Sequence, residues 1–76
     1  MIVVKAFGQV KEVLGSELEV KMELIDVKSL REYLSDEYPA IAWSSVAIAV
    51  NKQYVRDHDP IHPGDEIALI PPVSGG

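Results

Sequence analysis

Apolar and polar positions alternate along the opening of the chain. In an extended segment Val3, Lys5 and Phe7 fall on one face, and Ile2, Val4 and Ala6 on the other. Lysine prefers water, so the pattern predicts a strand over residues 1–7 with its odd positions outward, Phe7 included. Gly8 ends it. Val10, Val13 and Leu14 stand at i, i+3 and i+4, the spacing of a short helical turn closed by Gly15. Residues 17–24 alternate imperfectly, with Leu18, Val20, Met22 and Leu24 against Glu17, Glu19, Lys21 and Glu23, which predicts a half-buried strand. Asp26 is a suitable N-cap for a helix over residues 27–38. Val27, Leu30 and Leu34, flanked by Tyr33 and Tyr38, form its core-facing stripe. Lys28, Arg31, Glu32, Asp36 and Glu37 fall on the remaining face, read as solvated, and Pro39 stops the helix.

Residues 40–45 connect, with Trp43 filling a core edge. Residues 46–50 are almost continuously apolar, the mark of a central strand. Asn51-Lys52 turns the chain into a short strand around Tyr54-Val55. Residues 57–65 form a loop with Pro60, Pro63 and Gly64, and Pro63-Gly64 suits the two central positions of a type II turn. The final strand follows. Glu66 marks its outer face, so Ala68 and Ile70 lie outward and Ile67 and Leu69 inward. The order strand, strand, helix, strand, short strand, strand predicts an α+β fold in which one main helix covers one face of a mixed sheet. Pairing of the last strand with the first, in the middle, makes it a β-grasp. On that arrangement Phe7 and Ile70 lie near each other on the face away from the helix. Tyr54 joins them in an exposed apolar patch, the mark of a docking site.

After Ile70 the pattern stops. Pro71-Pro72 cannot donate to a ladder and favours an extended exit. Ser74-Gly75-Gly76 has no apolar side chain to bury. The expected organisation is therefore a domain over residues 1–73 and a flexible Gly-Gly tail over residues 74–76. A Gly-Gly ending reads either as a frayed terminus or as a reactive carboxylate on a stalk. A carboxylate must be activated, for instance as an acyl-adenylate, before it can acylate or accept sulfur. An enzyme doing so must admit the main chain through a narrow cleft, and only glycine has no Cβ to clash there.

Seventy-six residues make one small domain. The chain has no cysteine, which removes thiol nucleophiles and thiolate metal sites and fits a reducing, cytoplasmic setting. A formal net charge of −5 makes nucleic acid and anionic membranes poor partners and a basic protein surface a better one. No apolar run approaches the ~20 residues of a membrane span. His58 and His62, with Asp57 and Asp59, look superficially like metal ligands. The spacing would place both imidazoles on one face of a helix, but Pro60 and Pro63 preclude a helix, and a solvated loop without metal is expected. No catalytic triad or phosphate-binding glycine loop is present. What remains is a terminus and a surface, and no catalytic pocket.

The segments Phe7-Gly8-Gln9-Val10-Lys11-Glu12, Asn51-Lys52-Gln53-Tyr54-Val55 and Pro63-Gly64-Asp65-Glu66, the last running on into Ile70-Pro71-Pro72-Val73-Ser74-Gly75-Gly76, resemble the small subunits of molybdopterin synthase. These are sulfur carriers of the ubiquitin-like β-grasp superfamily. The likeness covers essentially the whole chain, and the Pro-Pro pair favours this branch over the related thiamine sulfur carriers. The resemblance implies a protein that is not an enzyme alone but the sulfur-donor subunit of a sulfurtransferase in molybdenum cofactor biosynthesis. Gly76 would be adenylated by an activating enzyme that consumes ATP and Mg²⁺, with no cofactor bound to the carrier itself. A sulfurtransferase would convert the adenylate to a thiocarboxylate. That sulfur would build the molybdopterin dithiolene in the large subunit, in a heterotetramer. Gly75 would grant the tail access. Phe7, Tyr54 and Ile70 correspond to apolar docking positions, Lys11 to a basic contact, and Pro71, Pro72 and Val73 to the partner-facing base of the tail. An aromatic expected at position 70 is isoleucine here. Two alternatives remain: a ubiquitin-like modifier conjugated to lysines, and a non-catalytic ligand- or RNA-binding β-grasp module.

Overall fold

The computed structural model describes residues 2–21 and 26–72. Along them run β1 (Ile2–Ala6), α1 (Gly8–Leu14), β2 (Glu17–Val20), α2 (Val27–Glu37), a 3-10 turn (Trp43–Ser45), β3 (Ala47–Val50), β4 (Gln53–Tyr54) and β5 (Glu66–Ile70). The strands form one sheet in the order β2-β1-β5-β3-β4. β1 and β5 are parallel, and the other pairs are antiparallel. The first and last strands thus lie side by side, with β5 at the centre and β3 next to it.

Alternation decides the faces. Ile2, Val4 and Ala6 of β1 are buried, as are Ile67 and Leu69 of β5, while Val3, Lys5, Ala68 and Ile70 are only partly covered. The buried face packs with Val27, Leu30 and Leu34 of α2 and with Val10 of α1 in one core. Each Val, Leu or Ile side chain so buried contributes about 1.5–3 kcal/mol relative to exposure. Asp26 caps α2 as expected: its Oδ1 accepts from the Ser29 backbone N–H at 2.8 Å and from Ser29 Oγ at 2.7 Å. Two further N–H groups of the first turn, on Val27 and Lys28, donate to the carbonyls of Asp59 and Asp57. The loop after β4 therefore completes the helix start, beyond what its composition indicated.

Three local expectations shift. Phe7 is extended but precedes α1 as its N-cap rather than ending β1. The short strand is Gln53–Tyr54, one residue earlier than the sequence pattern indicated. Arg31, placed on the solvated face, turns inward to the connector: its Nη1 donates to the carbonyls of Trp43 and of Val46, the latter at 2.9 Å, and its Nε to Asp57 at 3.0 Å. The Pro63-Gly64 turn has the expected geometry, with Gly64 at φ 89° and Asp65 N–H donating to the His62 carbonyl. Met22 and Leu24, the far end of the predicted second strand, lie outside the described residues. Among those described, no helix is long and apolar enough to cross a membrane.

Candidate functional site

Parallel pairing of β1 with β5 sends both strands out at the same end of the sheet, and antiparallel β3 enters there. Three segments converge as a result: the β1–α1 junction at Phe7-Gly8, the start of β3 at Val46-Ala47, and the exit of β5 into Pro71. The register runs Ala6 opposite Leu69 and Ala47 opposite Ile70. The Phe7 N–H donates to the Leu69 carbonyl at 3.3 Å, which carries the pairing one residue beyond β1. Pro71 is half-buried and Pro72 exposed. Beside them a groove of about 450 Å³ opens between α1 and the connector, lined by Gln9, Val13, Ala40, Ala42, Pro71 and Pro72 among others. Lys11 is exposed on α1. Val73, Gly75 and Gly76, and with them the 74–76 tail, lie outside the described residues.

The outer sheet face is lined by small side chains. Directly paired residues share a face, and the pairs are Ala49 with Tyr54, Ala49 with Ala68, and Ala47 with Ile70. Alanines make a shallow floor, over which the larger groups stand at the sides. Tyr54 is 73% exposed and Phe7 49%, whereas Ile70 is half-buried. The structure brings Phe7 and Ile70 to one end, as expected. Tyr54 shares the face but sits on the edge strand, with β3 and β5 between it and β1. The three residues mark the breadth of a surface rather than one tight cluster. The Lys5–Glu66 ion pair, 3.2 Å apart and roughly half exposed, lies on the same face.

The spacing of Val13 with Val10 and Leu14 marks the helical turn and does not by itself place Val13 at a surface. Val13 is 46% exposed and borders the groove. A helix of two turns has room to bury only Val10 fully, and that brevity was the available signal.

The histidine loop is organised by hydrogen bonds. Asp57 accepts from Arg31, and Asp59 Oδ2 accepts from the Arg56 N–H at 2.7 Å. Asp65 accepts from the His62 backbone N–H at 2.8 Å and from Asn51 Nδ2 at 3.1 Å, which hold its carboxyl below the usual carboxylate range. The Ser29 hydroxyl and then its N–H do the same for Asp26. Among the described residues no group of three or more His, Asp or Glu is arranged to hold a metal.

The Escherichia coli (strain K12) molybdopterin synthase sulfur carrier subunit is 37% identical over 81 residues, covering all of both chains. Subunit 1 of the molybdopterin-converting factor of Helicobacter pylori 26695 has been solved in complex with subunit 2. The chain matched in that complex is 34% identical with a TM-score of 0.72, over 99% of this chain and 97% of that one. The small archaeal modifier protein 1 of Methanosarcina acetivorans has a TM-score of 0.77 at 28% identity, over 99% and 95% of the two chains. The sequence model of the ThiS family matches residues 4–76, and the chain belongs to that family, with its ubiquitin-like β-grasp fold.

Proposed function

We propose that this chain is a sulfur carrier in molybdenum cofactor biosynthesis, the small subunit of a molybdopterin synthase. The observation that carries the reading is a likeness to sulfur carrier subunits that runs the full length of both chains. It is joined by a fold whose central strand leads directly into Pro71-Pro72.

In this reading Gly76 supplies the reacting carboxylate. A carboxylate oxygen attacks the α-phosphate of Mg-ATP on an activating enzyme, and pyrophosphate leaves. A sulfide-level sulfur nucleophile, delivered by a sulfurtransferase, then attacks the acyl carbon; the C–S bond forms as the C–O bond to AMP breaks, leaving a thiocarboxylate. Its sulfur is a better nucleophile than carboxylate oxygen, so activation divides one difficult step into easier ones. Gly75 lets the tail pass a narrow cleft. The alanine-floored face with Phe7, Tyr54 and Ile70, together with Lys11 and the tail base at Pro71, Pro72 and Val73, receives the activating enzyme and the large subunit. The setting is cytoplasmic. The test is the intact mass of protein isolated from its own host without a C-terminal tag, and of protein treated with activating enzyme, ATP and a sulfur donor. Replacement of one oxygen by sulfur is expected. Deleting Gly76, or adding a residue after it, is expected to abolish the gain, since one residue moves an extended chain by roughly 3.3 Å or more. Sulfur acquired at the normal rate without Gly76 would overturn this mechanism.

A second reading is favoured by the likeness to a small archaeal modifier protein. The same activated carboxyl, attacked by a lysine amine in place of sulfur, would leave the protein attached through an isopeptide bond. Immunoblots of host extracts distinguish the two, because conjugates run as bands above the free protein.

A further inference from the structure

Among the described residues three glycines have positive φ: Gly8 at 56°, Gly15 at 85° and Gly64 at 89°. A Cβ built on Gly15 or Gly64 would meet nothing within 4 Å, so those two serve their turns alone. Gly8 differs. A Cβ there would lie 2.9 Å from Cγ of Pro71 and 3.8 Å from its Cδ, whereas carbon atoms rest at about 3.5–4.0 Å. The Pro71 ring occupies the space that a side chain at position 8 would need.

If that space were filled, one partner would have to move. At φ 56° any side chain also strains the Gly8 backbone, but that backbone is held in place. Phe7 is bonded through its N–H to Leu69 and through its carbonyl to the Lys11 N–H, and Val10 anchors α1 in the core. Pro71 follows the last residue of β5, has no N–H to anchor it, and borders an open groove. The ring would yield, and because proline fixes its own φ, the chain beyond it would turn with the ring.

We propose that Gly8 is a positioning residue for the tail: its bare Cα seats the Pro71 ring and so sets the direction in which the chain leaves the sheet. The consequence for sulfur transfer rests on the carrier reading; the seating does not. Docking through the outer sheet face would bring the domain to its partner, and this seat would then set the line along which the chain starts toward the reacting centre. Position 8 would thereby act on turnover without touching the partner.

The variants are Gly8→Ala and Gly8→Val, each with and without Pro71→Ala, which removes the crowded Cγ. The chain has no cysteine, so Ser74→Cys gives a single thiol for a nitroxide label. Paramagnetic broadening of the domain amides then reports where the tail points. The broadening is expected to redistribute in both single variants and to return toward the parental map in Gly8→Ala/Pro71→Ala. In thiocarboxylate formation by the activating enzyme, with unlabelled Ser74 protein, Gly8→Val is expected to lower kcat about tenfold or more, since a misplacement of ~1 Å costs up to about a hundredfold. KM should stay within about threefold, because the docking residues are untouched. A purely structural role would lower the melting temperature and leave kcat of the folded fraction unchanged. Should Gly8→Val not fold, the Gly8→Ala pair decides. An unchanged map overturns the seating, and a changed map with unaltered kcat overturns its consequence for sulfur transfer. Parental protein that takes up no sulfur would sink the carrier reading instead, and the map alone would then decide the seating.

Discussion

Asn51 and Glu66 are bonded twice, in opposite senses. The Asn51 N–H donates to the Glu66 carbonyl at 2.8 Å, and the Glu66 N–H donates to Asn51 Oδ1 at 3.0 Å. The clasp ties the β3–β4 turn to the start of the central strand. Asn51 also stands at φ 51° and Lys52 at φ 71°, the double left-handed geometry of a type I′ turn. Asparagine tolerates this conformation; lysine does so at a cost. Asn51→Ala is expected to lower unfolding stability by about 2 kcal/mol, from the loss of the side-chain bonds to the Glu66 N–H and to Asp65 and from the strained alanine. Lys52→Gly is expected to raise it by about 0.5 kcal/mol, the relief of strain being partly offset by glycine's greater unfolded freedom. Urea midpoints at constant m-value check both.

Arg31 braces the connector between α2 and β3 by donating to the carbonyls of Trp43 and Val46. Arg31→Ala is expected to destabilise by about 2 kcal/mol, since partly buried carbonyls lose a charged donor. Arg31→Lys should recover little, because a single ammonium cannot reach at once the two carbonyls served by Nη1 and the Asp57 carboxylate served by Nε. Denaturant unfolding of both variants gives the comparison. Equal stability of Arg31→Ala and the parent would return Arg31 to the solvated face.

Acid should weaken the fold through Asp26 and Asp65. Hydrogen bonds hold both carboxyls below their ordinary value of 3.8 in the folded protein. A folded pKa below the unfolded one contributes stability that is fully present above the unfolded value. That contribution is lost as pH falls through the folded value. Between those limits the unfolded chain binds more protons. Asp65→Asn and Asp26→Asn are therefore expected to flatten the decline of stability below about pH 4, where free aspartate titrates. Urea unfolding at pH 7 and pH 3 measures the slope.

The outer sheet face should bind without supporting the fold. Tyr54→Asp and Phe7→Asp are expected to weaken association with the activating enzyme and the large subunit at least about tenfold, with stability changed by no more than about 0.5 kcal/mol for the more exposed Tyr54. Calorimetric titration and thermal unfolding read the two quantities. Ile70 is a less clean probe, because it is half-buried and a charge there also burdens the sheet. Unaltered binding by both variants would remove this face from the docking surface.

Much of this architecture was legible in local patterns. Alternation in β1 and β5 assigned faces correctly, Asp26 announced α2, and Pro63-Gly64 announced its turn. These features depend on near neighbours. What escaped depends on residues brought together from afar. Arg31 occupies a polar helical position, and only the path of the connector supplies its acceptors. Asn51 reads as a turn residue, and its second role needs β5 beside it. Gly8 reads as a strand terminator until Pro71 arrives against it. The candidate surface was visible as outward Phe7, Tyr54 and Ile70, yet its breadth follows from strand order, which spacing alone does not reveal.

The adjacency of β1 and β5 also bears on how the protein is made. On the ribosome β1 emerges first and β5 is the last of the five strands. Its two neighbours cannot join into one sheet until β5 inserts between them. Contacts between such distant segments require closing long loops, so they form late in folding. Until then β1 and β3 carry unpaired edges, the hazard that chaperones meet in nascent chains. Pairing of β5 with β3 is the more local step, and joining that pair to β1 removes the remaining edge, completes the outer face and sets the chain exit. An incompletely folded chain would therefore present no assembled docking surface to an activating enzyme, and the order of synthesis would itself withhold unfinished molecules from the pathway.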